Sequence, residues 1–84
     1  MKKFCITYDL IGKKKDYDGV NEIFENLNAK HILGSVWTHE IKNDEYTCKY
    51  LAEELLYLLD EYDVKLYVAE ITDSHDNLNE ERIG

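Results

Sequence analysis

The sequence predicts one α+β domain in which an antiparallel sheet carries two helices on one face. Three observations lead there. A period-two run opens the chain, two helical patterns follow at different points, and β-branched and aromatic runs stand between and after them. Phe4, Ile6, Tyr8 and Leu10 alternate with Cys5, Thr7 and Asp9, as a strand with two unlike faces requires, so residues 3–10 are read as a strand. Val20, Ile23, Phe24 and Leu27 recur at i, i+3, i+4 and i+7, with Asp16 or Asp18 to cap the first turn and Asn28 to end the helix over 17–28.

Residues 29–41, AKHILGSVWTHEI, are rich in β-branched and aromatic types. Gly34-Ser35 marks a bulge, kink or tight turn between two extended segments. The stretch from Asn43 predicts a long helix capped by Asn43 or Asp44, with Cys48, Leu51, Ala52, Leu55, Leu58, Leu59 and Tyr62 on one side. Tyr46, Tyr50, Tyr57 and Tyr62 follow it at near-helical spacing and are expected to flank the buried stripe. Residues 64–71, VKLYVAEI, read as the last strand. The order is β-α-β-β-α-β, the split βαβ arrangement, in a domain over 1–72 followed by a polar tail over 73–84.

At 84 residues the chain buries only about 60 to 65% of the surface its unfolded form exposes, a thin core that a dimer interface would help. Hydrophobic content of 44% rules out a disordered chain despite 33% charged residues. A net charge of −8 repels phosphate over about 8 to 10 Å and disfavours non-specific nucleic-acid binding. Against that sign, Lys13, Lys14 and Lys15 gather three of the ten basic residues in one loop. No apolar run reaches about 18 residues and no leader-like cleavage site follows the first strand, so a soluble cytoplasmic protein is expected. Cys5 and Cys48 lack metal-ligand spacing and read as free thiols.

The run ITYDL closing the first strand, the short basic loop, DYDGVNEIFENL, HILGSVWTHEI and a Leu-rich helix ending DEYD before VKLYVAEI together resemble the small CRISPR-associated spacer-acquisition nucleases. The likeness covers roughly residues 3–72 and is greatest to their stand-alone SinR-type relatives, where YDL, an aromatic after a basic loop and a Ser-x-Trp strand recur in this order. It implies a ferredoxin-like protomer and a two-fold homodimer whose open sheet faces meet. It also implies that Asp9 meets its symmetry mate across the seam and holds a divalent cation, Mg²⁺ or Mn²⁺. Family members are assigned metal-dependent RNA or DNA cleavage, or a structural role bridging an integrase.

A two-fold axis supplies a second carboxylate without a second motif, and a cation held there would polarise a phosphoryl oxygen and acidify a bound water. On this reading Asp9 is catalytic and the metal ligand, Ser35 a catalytic and Tyr8 a nucleic-acid-binding residue that orient phosphate or water, and Lys13, Lys14 and Lys15 a backbone clamp. The plainer reading is that Asp9 hydrogen-bonds the next turn and the lysines are a solvated loop. His31 and His39, eight apart in a continuous strand, would stand about 26 Å from each other, too far to share a metal. His75, beside Asp73 and Asp76, is a weak metal candidate, and Trp37 reads as a core or interface anchor.

Glu53, Glu54, Asp60, Glu61 and Asp63 form an acidic outer face, by default a solubilising one. Two functions follow. One is a small acidic homodimeric nucleic-acid-associated protein with weak or absent metal-dependent endonuclease activity. The other is a non-catalytic adaptor or inhibitor whose acidic face docks on a basic protein of a nucleic-acid-processing or defence complex.

Overall fold

A computed structural model describes residues 1–13 and 15–72; Lys14 and the tail with His75 lie outside it. The elements run β1 (Lys2–Leu10), α1 (Tyr17–Asn26), β2 (Lys30–Leu33), β3 (Val36–Ile41), α2 (Cys48–Leu58) and β4 (Val64–Ile71). The four strands form one antiparallel sheet in the order β2-β3-β1-β4. Each helix therefore connects two strands with a third lying between them.

The alternation in β1 decides which side the helices take. Phe4, Ile6, Tyr8 and Leu10 are buried in one cluster with Val20 and Phe24 of α1, Leu51 and Leu55 of α2, and Leu59 just beyond it. On β3 the residue paired with Ile6 is Trp37, 1% exposed, so it joins the same layer. An aromatic row crosses this layer: His31 on Trp37 at 4.3 Å, Trp37 on Phe24 at 5.1 Å, Phe24 on Tyr8 at 5.5 Å and Tyr8 on Tyr17 at 6.0 Å between centroids. Cys5 faces away from the helices while Cys48 opens α2 against the core, so the two thiols stand on opposite sides of the sheet and are free.

Asp16 caps α1 by accepting from the Gly19 amide at 3.0 Å. At the other end Asn28 takes φ of 65°, while its own amide reaches the Glu25 carbonyl and the Ala29 amide that of Phe24, a Schellman closure. The start of α2 differs from expectation. Asn43 accepts from the Glu45 amide and its carbonyl from the Tyr46 amide, a turn that consumes the capping residue, and Asp44 pairs with the N-terminal ammonium at 2.8 Å. The helix begins five residues later, with Thr47 accepting from the Tyr50 amide at 3.2 Å.

Gly34 and Ser35 form a tight turn, Gly34 with φ of 47°, so β2 and β3 are a hairpin. This overturns the separation of about 26 Å expected for the histidines in a continuous strand. His31 lies opposite Trp37, two residues from His39 on the same face. The buried stripe of α2 is narrower than expected too: Leu51, Leu55 and Leu59 recur every fourth residue, while Leu58 is exposed and Tyr50 and Tyr57 are 62% and 78% exposed. Among the described residues no helix is long and apolar enough to cross a membrane.

Leu55 is fully buried where α2 meets the sheet layer. Leu55→Ala should cost about 2 to 5 kcal/mol, read as a lower urea midpoint with unchanged slope.

Candidate functional site

Strand β1 ends where the hairpin turn passes it. The Tyr8 amide donates to the Ser35 carbonyl at 3.3 Å, so the turn is fastened beside the last residues of β1. By register, residues 3, 5, 7 and 9 of β1 share the open face with Lys65, Tyr67, Ala69 and Ile71 of β4, with Val36, Thr38 and Glu40 of β3, and with Lys30 and Leu33 of β2. Leu33, Val36, Thr7 and Tyr67 thus form a row across all four strands, with Leu33 57% and Tyr67 67% exposed at its ends. Asp9 and its cross-strand partner Lys65 form the next row. A hollow of about 230 Å³ opens there, lined by Thr7, Tyr8, Asp9, Lys65, Leu66 and Tyr67.

The structure brings Asp9 and Ser35 to the same end of the sheet. The Asp9 carboxylate is exposed and accepts from the Tyr17 hydroxyl at 3.2 Å, a contact sequence reasoning missed because Tyr17 reads only as the aromatic after the basic loop. Tyr8 is placed otherwise. Its ring is buried and its hydroxyl donates to the Asn21 side-chain oxygen at 2.6 Å, so it faces the helices rather than the hollow's solvent. Burial, then the neighbouring Tyr17, push that hydroxyl above its ordinary value of 10.0, in keeping with its role as the protonated donor to Asn21.

A divalent cation needs several oxygen ligands, and at this strand end the chain supplies the single Asp9 carboxylate, already engaged by a phenol and flanked by a lysine. Among the described residues no group of three or more His, Cys, Asp or Glu side chains could hold a metal ion. This donor set alone does not fit Mg²⁺ or Mn²⁺, which would need further oxygen ligands. No family model matches the chain, and no curated protein or solved structure matches it either.

The lysine loop and the acidic face turn out to be neighbours. The Ile11 amide donates to the Asp63 carbonyl at 2.9 Å, and Gly12, at φ of 91°, passes close to the Asp63 carboxylate, which ties the loop to the turn after α2. Lys13 there lines a hollow of about 640 Å³ with Asp16, Asp60, Glu61 and Asp63, while Lys15 is exposed. Four of the residues lining this hollow are acidic and one, Lys13, is basic. Glu53 and Glu54 line a different hollow, with Tyr46 and Tyr50, so the acidic face is divided in two. Burial and the Glu54 hydrogen bond push the Tyr46 hydroxyl up to about 12.

Burial holds the His39 imidazole below its ordinary 6.5, against the opposing pull of Glu54. The unfolded chain therefore takes up this proton first. The stabilisation from a neutral His39 is complete above pH 6.5 and is lost as pH falls through the lowered folded value. The urea midpoint should fall on acidification below neutrality, and His39→Gln should flatten that slope. A second prediction concerns Asp9: in a double-mutant cycle, Asp9→Asn and Tyr17→Phe should couple by about 0.5 to 1 kcal/mol in urea unfolding, as one shared hydrogen bond requires.

Proposed function

We propose that the chain is a nucleic-acid-associated protein acting as a two-fold homodimer of a ferredoxin-like protomer, with weak or absent metal-dependent endonuclease activity. The segregation of charge carries this reading. The open face holds Lys3, Lys30 and Lys65 against Asp9 and Glu40, one positive charge in excess (3 − 2) in a chain of −8. It is the surface on which another copy or a phosphate backbone meets the least repulsion.

The element order and the strand order β2-β3-β1-β4, antiparallel throughout, support the ferredoxin-like protomer. Leu33 and Tyr67, exposed at the two ends of the row that also holds Val36, support a second copy as the seam's core, since apolar and aromatic side chains so exposed gain most from burial. Asp9, Ser35 and Lys65 then border that seam. RNA or DNA passing over it would meet Lys65 and the two Asp9 carboxylates, an arrangement that offers Mg²⁺ or Mn²⁺ more than one protein ligand. Weak or absent cleavage follows from the poverty of that set and from its distance in character from an acid–base pair.

Light scattering followed by salt-dependent binding of single-stranded RNA and duplex DNA, with Mg²⁺ or Mn²⁺ added, tests the reading. The expected result is a dimer that binds one of the two at low salt, loses affinity in Lys65→Glu, and loses any slow cleavage in Asp9→Ala. A monomer, or a dimer that binds neither polymer at low salt, would overturn it.

A further inference from the structure

A second surface stands on α2, on the opposite side of the sheet from the open face. Its hollow of about 570 Å³ is lined by Asn43, Tyr46, Tyr50, Glu53 and Glu54. The rings of Tyr46 and Tyr50 stack with centroids 5.5 Å apart at 23°. Tyr46 is fixed from both ends: its ring packs on Phe4 in an edge contact at 6.0 Å, and its hydroxyl donates to Glu54 Oε1. Tyr50 leans on that anchored ring yet is 62% exposed. Tyr50, Glu53 and Glu54 stand at i, i+3 and i+4, so one helix face presents an aromatic ring beside two carboxylates. Tyr57, a further turn along at i+7 from Tyr50, is 78% exposed.

The chemistry of this wall selects a cation. Ring faces carry the negative end of the aromatic quadrupole and the carboxylates carry full negative charge, so an anion is repelled and an apolar group leaves the carboxylates unpaired. A planar guanidinium can stack flat on a ring while its N–H fork addresses a carboxylate, whereas an ammonium offers a compact, strongly hydrated point charge. We infer that the Tyr46–Tyr50–Glu53–Glu54 hollow is a docking site for arginine side chains of a basic protein segment, the guanidinium lying on Tyr50 and donating to Glu53 or Glu54. The charge of −8 draws such a segment in, and the tyrosines supply the rigid contact area on which interface hot spots depend. This site is independent of the open sheet face, so it stands or falls apart from the nucleic-acid reading.

The test is a titration of the ¹⁵N-labelled protein with a short peptide alternating arginine and serine, beside the same peptide with lysine for arginine. Amide shifts should concentrate at Tyr46, Tyr50, Glu53 and Glu54, and the arginine peptide should bind about two- to fivefold more tightly than the lysine one. Tyr50→Ala should remove that preference, and Glu53→Gln should weaken both peptides. Because both side chains are exposed, the variants keep the fold, which an unchanged urea midpoint verifies. Equal affinity for the two peptides, unaffected by Tyr50→Ala, or shifts centred on Asp60, Glu61 and Asp63, would overturn the inference and leave only general attraction to an acidic chain.

Discussion

Strand β1 is bonded on both edges, to β3 and to β4, and its strict alternation constrains everything built on it. Because Phe4, Ile6, Tyr8 and Leu10 must all enter the helix layer, Cys5, Thr7 and Asp9 must all leave it. A slip of one residue would bury Asp9 and expose four core side chains, at a cost of about 1.5 to 3 kcal/mol for each apolar one. The same alternation, passed through the register, fixes Trp37 inward on β3 and Tyr67 outward on β4. Asp9 is therefore held at the end of the open face by the burial of its neighbours. Its own contact with Tyr17 adds only a hydrogen bond at an exposed place.

The excess of acid sits on the helices and their turns rather than on the strands. The acidic residues after α2 lie against the loop that follows β1, where Lys13 is among them, and this arrangement limits repulsion inside a strongly acidic molecule. Glu54 is drawn off to Tyr46 and also acts on His39. One run of carboxylates in the sequence thus serves two surfaces of unlike character. The first is a hollow lined by four acids and one lysine. The second is a wall where aromatic rings stand beside Glu53 and Glu54 with no cation among its lining residues, and a ring beside a carboxylate distinguishes a planar cation from a compact one.

Local patterns made the strands and α1 legible, because their signals are short-range: alternation in β1, an i, i+3, i+4, i+7 stripe in α1, and Asn28 suited to a positive φ. What escaped was settled by competition. Asn43 can cap a helix or make its own turn, and it makes the turn, leaving the cap to Thr47. The hairpin at Gly34-Ser35 was one of three readings open at that dipeptide, and spacing alone could not choose among them. Leu58 kept helical spacing but fell outside a stripe only four residues in period. For the candidate site, the strand end at Asp9 was visible. Tyr17's approach and the meeting of Lys13 with Asp63's neighbourhood depend on how loops fold back, which no periodicity records.

Two buried atoms measure how far apolar burial dominates this small core. Trp37 Nε1 and His39 Nδ1 are buried without a hydrogen-bond partner among the described residues, both on the helix-facing side of β3. An orphaned donor costs about 1 to 3 kcal/mol. A tryptophan buries about 150 to 250 Å², worth about 4 to 6 kcal/mol at about 25 cal/mol per Å². Burial therefore outweighs the lost bond at Trp37, whose ring is closed between those of His31 and Phe24. No comparable gain accompanies His39, whose imidazole is smaller and only half-buried. The aromatic row thus tolerates a lost hydrogen bond at its largest member and leaves its pH sensitivity at the residue two places along the same strand.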